Sequence, residues 1–147
     1  MKPENPTVPP HAVMTRLPAT DTTRGKKLSL TLEAQGSGGA VVLHCQGRII
    51  FQSQARALST IVTEVLPSAR RMVVDLAGVD SVDSGGLGEL VLTHMWAEAA
   101  GYALKFAAPK RAVRHLFEVT NLVSVFDVYG SVPEAMKAMV HEEIHSA

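Results

Sequence analysis

The sequence predicts an α/β domain over residues 27–147, with a mixed sheet of about five strands and about four helices packed against it. Two observations predict that class. From Leu28 onward, short apolar or alternating runs take turns with stretches of helical periodicity, in the order ββαβαβαβα. The run Met72-Val73-Val74, ending at Asp75 and Leu76, is continuous rather than alternating, as suits a strand buried on both faces. An opening hairpin followed by strands joined through helices requires one antiparallel pair, then parallel neighbours linked by right-handed crossovers.

Residues 1–26 read as a tail. Pro3, Pro6, Pro9, Pro10 and Pro18 fall there without hydrophobic periodicity, so the segment is expected to be disordered. Leu28, Leu30 and Leu32 then alternate with Ser29, Thr31 and Glu33, a half-buried strand. Gly36, Gly38 and Gly39 make a turn, and Ala40 to Gln46 is the second arm of the hairpin. Val41, Leu43 and Cys45 share one face of that arm and His44 takes the other, where it reads as solvated or packed. A helix from Ser53 to Leu66 buries Ala55, Leu58, Ile61, Val62, Val65 and Leu66, and Pro67 closes it.

After the central strand a loop containing Gly78 leads to a second helix that opens near Asp83 or Ser84. Leu87, Leu90, Val91 and Met95 keep helical spacing there, widened by Leu92, Trp96 and Ala99, and Gly101 stops the helix. Ala103 to Ala107 is the next strand, with Leu104 and Phe106 on one face. The third helix carries Ala112, Val113, Leu116, Phe117 and Thr120 on one side, and Asn121 is suited to a left-handed cap that returns Leu122 to Phe117. Val125 to Tyr129 reads as a last strand. Ser131 and Glu134 form a capping box for a final helix with Val132, Met136, Met139, Val140 and Ile144 facing inward.

The totals remove several functional classes. Fourteen basic and fourteen acidic side chains cancel, which offers nucleic acid or an anionic membrane no electrostatic footing. A single cysteine, Cys45, has no internal partner and fits a reducing compartment. No run is long and apolar enough for a membrane span, and no apolar h-region follows Lys2, so the expected location is cytoplasmic. The oligomeric state is not legible, and a homodimer stays open.

Two motifs suggest chemistry. His141-Glu142-Glu143-Ile144-His145 matches the H-E-x-x-H of zinc proteases, which needs two imidazoles one turn apart, a third ligand and a cleft. Here the pattern falls on the last helical turn with no later ligand, so no metal is expected. Gly86-x-Gly88 resembles part of a dinucleotide fingerprint, but Val91 occupies the third glycine position and no tight strand-to-glycine turn precedes it. No G-x-S-x-G elbow or P-loop is present, so no catalytic residue and no cofactor are expected. What remains is Asp83-Ser84-Gly85-Gly86-Leu87-Gly88, at the carboxyl end of a central strand and the positive end of a helix. Asp83 or Ser84 caps the helix. Two adjacent glycines cost helical propensity and leave backbone N–H groups open to another polypeptide or an anion.

Val74-Asp75-Leu76-Ala77-Gly78-Val79, followed by Val82-Asp83-Ser84-Gly85-Gly86-Leu87-Gly88-Glu89-Leu90, resembles the signature of STAS domains, in particular anti-sigma factor antagonists. The likeness extends over roughly residues 28–141 and includes Leu43 to Ile49 and the Leu116-Phe117 pair. The resemblance implies a STAS-like fold and a non-enzymatic, partner-switching role in transcription. Such proteins bind a kinase-type anti-sigma factor, and the kinase reverses this by phosphorylating a hydroxyl at the helix start.

The chain departs from that pattern twice. The usual acceptor position is Gly85, and Ile50 stands where the family often carries an acidic residue. Both changes imply an antagonist that binds constitutively or is regulated by other means. Ser84 is the neighbouring candidate for phosphorylation, a poor one if its hydroxyl caps the helix. The alternative is a STAS subunit of another assembly, such as a signalling complex or an ABC-type lipid transporter. A third reading, an enzyme or nucleotide-binding protein, rests only on the two motifs above.

Overall fold

The computed structural model describes residues 12–16, 28–35, 40–50 and 53–145. Its sheet holds β1 (Ala12–Arg16), β2 (Ser29–Gln35), β3 (Val41–Ile49), β4 (Arg71–Val82), β5 (Ala103–Ala107) and β6 (Val128–Tyr129), in that spatial order. The β1/β2 and β2/β3 pairs are antiparallel, and the three pairs from β3 to β6 are parallel. The helices are α1 (Ser53–Ala69), α2 (Ser84–Ala100), α3 (Arg111–Val119) and α4 (Val132–His145). The expected five strands are present, and β1 adds a sixth from within the residues read as a tail. Its backbone pairs Ala12 to Gln35 through Arg16 to Thr31, a ladder that needs no apolar periodicity to form. The rest of that tail and the turn at residues 36–39 lie outside the described residues.

Each parallel connection crosses the sheet with the same hand, so α1, α2 and α3 share one face. Their Ala55, Leu58, Val62, Leu66, Leu87, Leu90, Val113 and Phe117 form one core with Leu43, Cys45, Met72, Val74, Leu76 and Phe106. The fourth helix covers the other face, where Ala135 and Met139 meet Val42, Val73 and Ala107.

Several expectations are corrected here. Strand β4 runs on through the segment expected to be a loop. Two register shifts against β3 each give β4 an extra residue, so the core-facing side chains fall at 72, 74 and 76, then 79 and 82. The bulges break strict alternation while keeping Val79 and Val82 on the core side. In α1 the chain continues past Pro67 to Ala69, with the proline inside the helix at the cost of one i→i−4 hydrogen bond. Strand β6 is only Val128–Tyr129; Val125 is exposed and Phe126 is buried in the preceding turns. On α3, Ala112 and Thr120 are exposed and only Val113 and Phe117 are fully buried. On α4, Val140 faces outward, and the side chain of Ile144 lies outside the described residues.

Other local signals hold. Gly101 takes the left-handed cap of α2, and Asn121 does the same after α3, with the Leu122 N–H donating to the Phe117 carbonyl at 2.8 Å. Ser131 Oγ accepts from the Glu134 N–H at 3.2 Å, while Glu134 reaches back to the Gly130 N–H at 3.1 Å.

Candidate protein-docking surface

Strands β3, β4 and β5 point the same way, so α1, α2 and α3 all begin at one edge of the sheet. The turn from β4 into α2 sits in the middle of that edge. Asp83 is extended and caps α2: its Oδ1 accepts from the Gly86 N–H at 2.7 Å, and its carbonyl accepts from the Leu87 N–H at 2.8 Å. The cap therefore belongs to Asp83. Ser84 is the first helical residue and is exposed, which corrects the reading of its hydroxyl as occupied by capping.

Gly86 is buried for a different reason from the one expected. A Cβ at that position would lie 2.2 Å from the Ile49 carbonyl oxygen. The glycine lets the start of α2 abut the end of β3, where the Asp83 N–H also donates to the Ile49 carbonyl at 3.2 Å. Its own N–H is spent on Asp83, so it offers no open donor to a visitor. Leu87 is also buried, in the main core. Of the loop residues singled out from sequence, Asp83, Ser84 and Gly88 are exposed, Gly85 is half-buried, and Gly86 and Leu87 face inward. Ile50 is half-buried, its carbonyl accepting from the Ala55 N–H at 2.9 Å.

The outward side of α2 differs from the one its sequence predicts. Its buried residues are Gly86, Leu87, Leu90, Thr93, His94 and Ala97. Leu92 and Met95, expected in the core stripe, are 63% and 56% exposed. With Ser84, Gly88 and Ala99 they share the solvent face of one helix, at four- and three-residue steps. This stripe is apolar or small from the turn to the far end of α2. On one side Glu89 Oε2 accepts from the Ser59 hydroxyl of α1 at 2.9 Å. At the head of α3, Lys110 Nζ donates to Asp80 Oδ1 at 2.7 Å, which fastens that helix start beside the turn.

Three polar groups elsewhere have structural employment. His44 bridges two strands: Nδ1 lies 2.6 Å from Asp75 Oδ2 and Nε2 2.8 Å from Glu33 Oε1. The Asp75 hydrogen bond, aided by Glu33 and opposed by burial, raises the imidazole pKa to about 9. Burial pushes the Asp75 carboxyl up, but the hydrogen bonds from His44 and the Ala77 N–H outweigh it and hold it below its ordinary value. Burial also raises the Cys45 thiol well above the usual range, so this side chain is an inert core group.

Lys105 is 1% exposed, and its Nζ donates to Glu142 at 2.9 Å and Asp127 at 3.2 Å. Burial disfavours its charge, yet those two bonds raise its pKa overall. Glu142, the acidic residue of the H-E-x-x-H match, is thus engaged by a lysine. The side chains of His141 and His145 lie outside the described residues. Among the described residues, no three His, Cys, Asp or Glu side chains are grouped to hold a metal ion. No helix among them is long and apolar enough to cross a membrane.

The chain matches the family model of the STAS domain over residues 31–135. It belongs to the STAS domain family. Solved structures of the same fold include an anti-sigma factor antagonist from Mycobacterium paratuberculosis, 23% identical, covering 89% of this chain and 97% of that one at a TM-score of 0.62. The unphosphorylated anti-sigma factor antagonist SpoIIAA is 19% identical, with 80% and 97% covered and a TM-score of 0.57. A sulfate transporter family protein from Wolinella succinogenes is 14% identical, with 71% and 89% covered and a TM-score of 0.62. At these identities the likeness establishes the fold of this STAS domain.

Proposed function

We propose that this STAS domain is a non-enzymatic docking module of the anti-sigma factor antagonist kind, acting in the cytoplasm on a kinase-type anti-sigma factor. The observation that carries this reading is the outward stripe of α2, which runs Ser84, Gly88, Leu92, Met95, Ala99 from the Asp83 turn. Two large apolar side chains more than half exposed on one helix face gain little from water and much from a partner. The family signature at Asp83–Gly88 supports the choice of partner class.

Calorimetric titration against the kinase-type anti-sigma factors of the same organism tests it. The Leu92→Glu variant is expected to weaken binding at least tenfold with its melting temperature within a few degrees of the parent. Binding to none of those proteins would remove the reading, as would an affinity indifferent to Leu92.

Gly85 has no hydroxyl, so the domain is proposed to bind constitutively. Ser84 is rotated by about 100° around the helix from position 85 and would present its oxygen in a different direction. Incubation with the kinase partner and ATP is expected to leave the mass of the protein unchanged, whereas Gly85→Ser gains one phosphate. A phosphate mapped to Ser84 in the parent protein would show that the switch has moved by one residue.

The absent acceptor also favours a second reading, a STAS subunit of another assembly such as a signalling complex or an ABC-type lipid transporter. Co-purification with membrane ATPase components in place of an anti-sigma factor would select it.

A further inference from the structure

The charge pattern of α1 and α3, the helices on either side of the Asp83 turn in sequence, runs against their dipoles, whereas α2 begins on the favourable Asp83 cap. No acidic residue stands in the first turn of α1, α2 or α3, and no basic residue stands in the last. Arg56 falls early in α1, and Arg111 and Arg114 in the first residues of α3; all three are exposed. The acidic partners sit later, as Glu64 in α1, Glu98 in α2 and Glu118 in α3. A helix prefers the reverse, acidic groups near its start and basic groups near its end. The chain as a whole is neutral, so this is a separation of charge and not an excess.

The parallel strands bring these unfavourably placed cations to one edge. Arg56 and Arg111 have no carboxylate partner among the described residues, and Arg114 meets only Glu118, at 3.4 Å. The acidic groups at the same edge are spent: Asp80 on Lys110, Asp83 on the cap of α2. The exposed apolar stripe of α2 thus starts at the same edge of the sheet as two helices whose first arginines have no carboxylate partner among the described residues. A placement that costs folding stability and recurs at the starts of both α1 and α3 marks a functional constraint.

We infer that the partner of this STAS domain presents an acidic protein surface, which meets Arg56, Arg111 and Arg114 while its apolar centre covers Leu92 and Met95. The inference rests on the docking reading above and adds the partner's chemistry. Paired charges at the rim of such an interface steer encounter more than they tighten the complex. Nucleic acid fits less well, because the middle of the surface is apolar and holds no cation to neutralise phosphates.

The test is stopped-flow association of the full chain with a kinase-type anti-sigma factor, at about 0.05 M and about 0.5 M salt. The triple variant Arg56→Glu, Arg111→Glu, Arg114→Glu is expected to associate at least tenfold more slowly at low salt. The gap should nearly close at high salt, and dissociation should change little. Its melting temperature is expected to equal or exceed the parent's, because the substitutions satisfy the helix dipoles. Equal association rates and equal salt dependence in parent and variant would overturn the inference while leaving the docking reading intact. Failure of the parent to bind any anti-sigma factor would remove both. Tight binding of the parent to duplex DNA, lost in the variant, would assign the arginines to phosphates and overturn the acidic-protein inference.

Discussion

Replacing Gly86 with alanine is expected to destabilise the domain by about 2–3 kcal/mol, read as a lower urea midpoint at unchanged slope. The new methyl would lie 2.2 Å from the Ile49 carbonyl oxygen and 2.9 Å from its carbonyl carbon. Those are backbone atoms at the end of β3, so no side chain can swing aside. The head of α2 would have to withdraw, stretching the Asp83 N–H···Ile49 contact and the Asp83 cap with it. Gly88→Ala is the control, since nothing lies within 4 Å of a Cβ there. On helix propensity alone that variant gains about 0.5–1 kcal/mol. Equal effects from the two substitutions would mean that the approach to Ile49 is not what keeps position 86 without a side chain.

The second large effect is the pH dependence of stability through His44. Its folded pKa of about 9 lies above the unfolded value of 6.5, so its contribution is complete below 6.5 and disappears as pH rises through 9. A shift of that size corresponds to about 3 kcal/mol at most. Asp75 behaves oppositely: its pKa is lowered on folding, so its share is present above the unfolded value of 3.8 and is lost as pH falls below it. Together they stabilise most between those two unfolded values. The His44→Ala variant is expected to be weaker than the parent by about 2–3 kcal/mol at pH 6, with the difference fading by pH 10. Parallel stability curves for parent and variant across that range would contradict the bridging role of the imidazole.

Much of the fold was legible in the sequence because its apolar periods are clean. Leu28 and Leu30 alternate, and α1 shows Ala55, Leu58, Val62 and Leu66 on one stripe, all buried. Where the reading failed, a tertiary feature had broken the period. The two bulges in β4 moved its inward positions to 79 and 82, which imitates a polar loop. In α2 nearly every residue is apolar or small, so periodicity could not tell Leu90 from Leu92. The structure chose by which side meets the sheet, burying Thr93 and His94 and turning Leu92 and Met95 outward.

The site was legible only as a place. Asp83 as a cap and Gly101 as a stop follow from local chemistry, and the structure agrees. That Gly86 answers to Ile49, or His44 to Asp75, depends on strand register, which no single-sequence pattern contains. The one clue available beforehand was an excess of apolar residues around α2, more than a single buried stripe needs.

The two sides of the sheet end up chemically unlike. One carries three helices with a greasy ridge left open to the outside; the other carries α4 and, beyond its reach, the carboxylate–imidazole–carboxylate chain Glu33, His44, Asp75. A visitor arriving on the ionic side finds partly buried charged groups already matched to one another. The domain thereby has two chemically distinct faces, and the docking proposed above would use the apolar one.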